Sequence, residues 1–179
     1  MRRALAWGAL TFGLASVAAT EAAPASSLLE SPETAIAVLG ARFAKDARVL
    51  NLDLRPDGFH VEVQDAAVPA HVDRFTFEDG ALGGPEPVPV GRNRKRLEAQ
   101  LFPLSDVDLR LLPRLLADAV ERARTEEGTV THVRIERTDR GGDTEGWGRP
   151  VLRVYVDGPR GGAFVEYGLD GRKKSVSRW

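Results

Sequence analysis

The residues able to do chemistry in this 179-residue chain are few: three histidines, no cysteine, and carboxylates spread singly along alternating segments. His60, His71 and His132 are the histidines, and none stands four residues from another, so a zinc site would have to be assembled wholly by tertiary folding. His60 and His132 alternate with apolar residues and are expected to point to solvent. Glu62, Glu78, Asp157 and Glu166 would form an acid–base pair only if folding brought two of them together. On strand exteriors such carboxylates serve solubility and edge protection. No Gly-x-Ser-x-Gly elbow, phosphate-cradling loop or dinucleotide fingerprint occurs. The expectation is a non-catalytic protein with no metal and no cofactor.

Binding is the better-supported chemistry. Arg92, Arg94, Lys95 and Arg96 form the one dense basic run, able to grip an anionic envelope polymer or surface. Arg172, Lys173, Lys174 and Arg178 offer a second basic strip. The competing reading is a solvated linker and a charged edge strand. Trp147 stands in a Gly-rich loop and Trp179 ends the chain; exposed tryptophans anchor interfaces, and the alternative is that each covers an open end of the core. Lys and Arg total 25 against 26 Asp and Glu, a net charge of -1. No global field therefore draws the chain to nucleic acid or to an anionic membrane.

The elements that must carry these residues begin after a targeting segment. Residues 1–25 read as a secretory signal: Arg2 and Arg3 form a positive head, an uncharged stretch of Ala, Leu, Gly and Val follows, and Val17-Ala18-Ala19 or Ala23-Pro24-Ala25 offers a small-residue cleavage site. That stretch is short for a membrane span, which needs about 20 apolar residues. A periplasmic or secreted location is expected. Without cysteine the exported domain has no disulfide, no thiolate metal site and no lipidated cysteine, and must hold itself by packing.

Ser31-Pro32-Glu33 starts a helix that runs to about residue 44, with the Ser31 hydroxyl as cap and Ile36, Leu39 and Phe43 as its stripe. The period then changes to two. Leu50, Leu52 and Leu54 predict one strand, Phe59, Val61 and Val63 a second across the Pro56-Asp57-Gly58 turn, and Phe75 and Phe77 a third. Pro85, Pro87 and Pro89 restrict residues 83–90 to an edge strand or linker. Farther on, Ser105 and Asp108 have capping-box spacing, yet Pro113 lies too deep for a regular helix from Ser105. Either a short turn precedes a helix from Pro113, or the helix kinks there. Its stripe is Leu112, Leu115, Leu116, Ala119, Val120 and Ala123. Strands follow with inner sets Thr131, Val133 and Ile135; Leu152, Val154 and Val156; Val165 and Tyr167; and a last one over residues 173–179.

The order of one helix and then three or four strands thus occurs twice. The fold class is α+β: two tandem units, each a short helix packed on an antiparallel sheet of three to four strands. The units span residues 26–90 and 105–179, joined by a basic linker over residues 91–104. Aligning Asp79-Gly80 on Asp170-Gly171 throws the preceding alternations out of phase, so a bulge or an extra turn residue must intervene.

The leucine-rich stretch 113–124, the strands Val130-Thr131-His132-Val133-Arg134-Ile135 and Val151-Leu152-Arg153-Val154-Tyr155-Val156, and Phe164-Val165-Glu166-Tyr167-Gly168-Leu169-Asp170-Gly171 carry a resemblance. The second unit resembles the PepSY-like and β-lactamase-inhibitor-protein-like group of exported bacterial modules, some of them tandem. The resemblance implies a helix on an antiparallel sheet, no cofactor, and a role in binding, regulating or inhibiting an envelope or secreted protein partner. It carries over no contact residue.

Overall fold

The computed structural model describes residues 27–90, 94–139 and 147–179, without the side chains of Arg94, Lys95, Asp139 and Trp147. The signal reading at residues 1–25 lies outside the described residues.

Helix α1 spans Glu33–Arg42 and buries Ala35 and Leu39, with Glu33 in its first turn and Arg42 in its last, as the helix dipole favours. The expected Ser31 cap is absent. Pro32 itself takes the cap position, at φ -74°, and no side chain caps the helix, so Ser31 falls one residue too early. Ile36 is partly exposed, while Phe43, just past the helix, meets Phe75 edge-to-face with ring centres 5.0 Å apart.

Strands β1 (Arg48–Leu54), β2 (Phe59–Gln64) and β3 (Val72–Glu78) follow as an antiparallel meander. In β1 the register slips between Val49 and Asn51. This bulge puts Val49, Leu52 and Leu54 in the main core and turns Leu50 to the other face, where it packs with Val72, Leu97 and Leu101. The expected inner set of Leu50, Leu52 and Leu54 is corrected accordingly. Two-residue strands β4 (Ala81–Leu82) and β5 (Glu86–Pro87) both pair with β3 at the sheet edge, the only kind of place where so many prolines are tolerated.

Helix α2 (Arg94–Gln100) and strand β6 (Phe102–Pro103) occupy the segment read as a linker. Leu97 and Leu101 give this segment its own small core against Val72 and Leu50. Two 3-10 turns, η1 (Leu104–Asp106) and η2 (Leu109–Leu111), then lead into α3 (Leu112–Ala123) with Pro113 in its first turn. The Asp108 carboxylate, rather than the Ser105 hydroxyl, does the local capping: it accepts from the Arg110 amide at the start of η2. Along α3, Leu112, Leu115, Leu116, Ala119 and Ala123 are buried, whereas Val120 is 40% exposed at the rim of a groove lined by Leu29, Pro56 and Leu116.

Strands β7 (Thr129–Asp139), β8 (Trp147–Gly158), β9 (Gly161–Gly168) and β10 (Lys173–Arg178) form a second meander under α3. Burying each core Leu, Val or Ile of this layer contributes about 1.5–3 kcal/mol. Tyr167 is buried, and its hydroxyl donates to Asp118 Oδ2 at 2.7 Å on α3. Burial, then the Asp118 hydrogen bond, raise the phenol's pKa. The Arg122 hydrogen bond, with that from Tyr167, holds Asp118 below the usual carboxylate range. Arg178 of β10 donates to the carbonyls of Arg122 and Ala123, which closes the C-terminal end of α3.

The strands do not form two sheets. They run β10-β9-β8-β7-β1-β2-β3-β4 in one antiparallel sheet, with β1 paired to β7 at its centre. Sequence order therefore runs outward in both directions from the β1–β7 seam. One hydrophobic cluster extends beneath α1 and α3 across both flanks. The phase slip between the flanks has its cause in the turns. Asp79 and Gly80, at φ 52° and 79°, close a two-residue turn between the paired Glu78 and Ala81. The β9–β10 turn is longer: Gly168 bonds to the Arg172 carbonyl and Gly171 to that of Gly168. The extra residue restores the alternation.

Candidate functional site

The face of β7–β10 opposite α3 is set by strand alternation. With Val133, Val154 and Val165 turned into the core, their neighbours His132, Tyr155 and Phe164 must point the other way. Register then makes them a row: His132 pairs with Tyr155, and Tyr155 with Phe164. The His132 and Tyr155 rings stack at 4.0 Å and 12°, Phe164 follows at 5.6 Å, and Trp179 at 6.3 Å ends the row. Aromatic pairs in such contact contribute about 0.5–1.5 kcal/mol each beyond burial. Trp179 hydrogen-bonds through its backbone to Gly162 in both directions, and its side chain lies over that glycine. A Cβ on Gly162 would sit 2.6 Å from Trp179 Cζ2, so only glycine lets the indole lie this low. Trp179 is nonetheless 61% exposed.

Beside the aromatic row runs a ladder of ion pairs. Arg153 donates to Glu136 at 3.0 Å and to Glu166 at 3.1 Å, spanning three strands, and its guanidinium lies 5.1 Å from the Phe164 ring centre. At the seam Arg134 of β7 donates Nε and Nη2 to Asp53 Oδ2 of β1, at 3.1 and 2.8 Å. Asp53 is completely buried, and Arg55 approaches its other oxygen at 3.4 Å. On the far flank Arg74 pairs with Glu62. Burial works against the Arg134 charge, yet the Asp53 hydrogen bond and charge hold its pKa above the ordinary value. His60 and His132 point away from the α1 and α3 core, as expected, but are partly covered rather than fully exposed. Burial, opposed by the Asp53 charge, lowers the pKa of each.

Of the residues singled out from sequence, Trp179 joins this face. The backbone of Trp147 opens β8 opposite Asp139, and its side chain lies outside the described residues. Arg92 also lies outside them. Arg94, Lys95 and Arg96 open α2; Arg96 is exposed and the other two side chains are outside the described residues. Farther along α2, Glu98 is held by Arg48 and by Gln64. Sequence reasoning missed Tyr155 and Phe164. The signal was present, since both alternate with core residues, but their cross-strand register was not. Glu62, Glu166 and Asp157 are likewise separated, the first two by their own arginine partners and the third by its bond from Thr131. Among the described residues no three His, Asp or Glu converge on a possible metal position.

An α+β protein with one large antiparallel sheet, helices on both faces and an aromatic, ion-paired surface is the class that these features define. A candidate lipoprotein from Clostridium difficile 630 has a similar fold, with a TM-score of 0.54 and 13% identity over 87% of this chain and 100% of that one. No family model and no curated protein sequence matches the chain. Among the described residues no helix is long and apolar enough to cross a membrane.

Proposed function

We propose that this is an exported, non-catalytic binding protein that docks an envelope or secreted protein partner on the aromatic face of β7–β10. The observation that carries this reading is the row His132–Tyr155–Phe164–Trp179, ending in an indole that is 61% exposed on the side opposite α3. Rings held in register lose little side-chain freedom when covered, and an exposed tryptophan beside an arginine-on-phenylalanine contact has the composition of an interface centre. The charges along the ladder are already paired, so covering them leaves no lone charge to desolvate.

In this reading residues 1–25 direct export, and residues 26–90 and 105–179 are two helix-plus-sheet units joined through 91–104. The outward order of strands from β1 and β7 supports duplication, as does the single extra turn residue that accounts for their phase difference. PepSY-like ancestry and a regulatory or inhibitory role rest on the resemblance of the second unit. Capture from envelope extract by the wild type and by a Tyr155→Ala/Trp179→Ala variant tests the face, followed by titration of the purified captured protein. Affinity for that protein should fall at least tenfold at a temperature where circular dichroism shows the variant still folded, although loss of the ring contacts lowers its melting temperature. Equal binding by both proteins would refute the assignment.

A further inference from the structure

A second surface, on the opposite rim of the sheet, has a different chemistry. A 610 Å³ cleft opens where η1 meets the ends of β7 and β8 and the β9–β10 turn, lined by Asp106, Arg137, Arg149, Pro150, Asp170 and Lys174 among others. This volume is within the range of small-ligand clefts, about 300–1,000 Å³.

Its arginine is built in. Arg137 is half-buried, with Nε donating to the Leu101 carbonyl at 3.1 Å and Nη1 to the Gly148 carbonyl at 3.0 Å. Two main-chain carbonyls thus fix the guanidinium plane without cancelling its charge, and no described carboxylate pairs with it. Arg149 and Lys174 are exposed, and neither is engaged by a hydrogen bond or ion pair among the described residues. The two carboxylates differ from each other. Asp170 accepts from the Arg172 amide at 3.0 Å and lies 3.6 Å from its guanidinium, while Asp106 pairs with no cation among the described residues. Among the described residues, with Asp170 set against Arg172 just outside the lining, the cations Arg137, Arg149 and Lys174 face one remaining carboxylate, Asp106, an excess of two positive charges.

We infer that this cleft binds a phosphomonoester-class dianion, which Arg137 orients and Arg149 and Lys174 close over. Two positive charges call for a dianion, and a fixed guanidinium edge suits the tetrahedral oxyanion geometry. The site is separate from the aromatic face. It does not depend on the proposed partner.

Full-length protein titrated with sodium phosphate against sodium chloride of equal ionic strength, followed by amide chemical shifts, tests the inference. Saturable shifts at Gly168, Asp170 and Gly148 are expected with phosphate and not with chloride. A parallel arm uses phosphatidylcholine vesicles with and without phosphatidic acid: saturation in solution identifies a free phosphate ester, and binding to the acidic vesicles alone identifies a headgroup. Arg149→Gln/Lys174→Gln should weaken either response at least tenfold with a nearly unchanged melting temperature, since neither side chain has a partner among the described residues. Lys174→Gln alone serves as the second variant and should weaken it about threefold or more, in proportion to one lost charge-assisted contact. No saturable response in either arm, or variants that bind like the wild type, would overturn the site.

Discussion

Removing either partner of the Asp53–Arg134 pair should not cost the same, and the difference can be worked from the geometry. In Arg134→Met the Asp53 carboxylate stays fully buried and keeps only Arg55, whose approach is 3.4 Å from a side chain 59% exposed. Breaking a buried pair this way costs about 3–5 kcal/mol, because an uncompensated charge is left inside. Arg55 moves the expectation to the lower end, about 3 kcal/mol. In Asp53→Asn the group left behind is Arg134, which is 36% exposed and can turn its guanidinium to water. Its loss is then of hydrogen bonds to a charged group, about 1.5 kcal/mol, at the lower end of their range because water replaces the carboxylate. The double variant should fall short of the sum, with a coupling of about 1–2 kcal/mol. Urea unfolding measures all four proteins, and an unchanged slope with a shifted midpoint shows that the folded and unfolded ensembles are otherwise alike. An Asp53→Asn variant as destabilised as Arg134→Met, or more so, would show that burial of the carboxylate does not govern the seam.

Two further outcomes follow from single residues. His60 and His132 have pKa values below the ordinary 6.5 in the folded chain, because burial disfavours their charged forms. The unfolded chain therefore binds protons first on acidification, and stability should decline as pH falls below 6.5 until the folded values are passed. Chemical denaturation across this range should show a flatter profile for His60→Gln/His132→Gln than for the wild type. Arg124 ends α3 at φ 52°, a left-handed conformation that costs a side chain about 1 kcal/mol, so Arg124→Gly should raise stability by up to that amount in thermal unfolding.

Much of the architecture was legible because period and punctuation agree. Alternation at Phe59, Val61 and Val63, and at Leu152, Val154 and Val156, placed those residues in the core, where they are found. The depth of Pro113 left a preceding turn and a kinked helix both open, and the structure has the turns, with α3 starting at Leu112. Leu50 was misplaced because a bulge leaves no mark on local composition, and the small core of α2 was hidden by the basic residues at its start. Pairing of β1 with β7 was not readable at all, as register between strands some 80 residues apart is set by packing and not by either segment alone. The same limit concealed the aromatic row. Only Trp179 advertised itself, through its type and its position at the end of the sequence.

The central place of β1 has a consequence for how the chain comes to be folded. Its ladder to β2 can close within a short hairpin; on its other edge β6 covers Arg48 and Val49, but the stretch from Asn51 to Leu54 depends on β7, whose Arg134 lies 81 residues beyond Asp53. Throughout synthesis an apolar strand with one open side must wait for its mate, with Leu52 and Leu54 on one face and Leu50 on the other. During that interval the first half is a template for another copy of itself, and speed of completion, or a chaperone that shields the strand, decides between folding and aggregation.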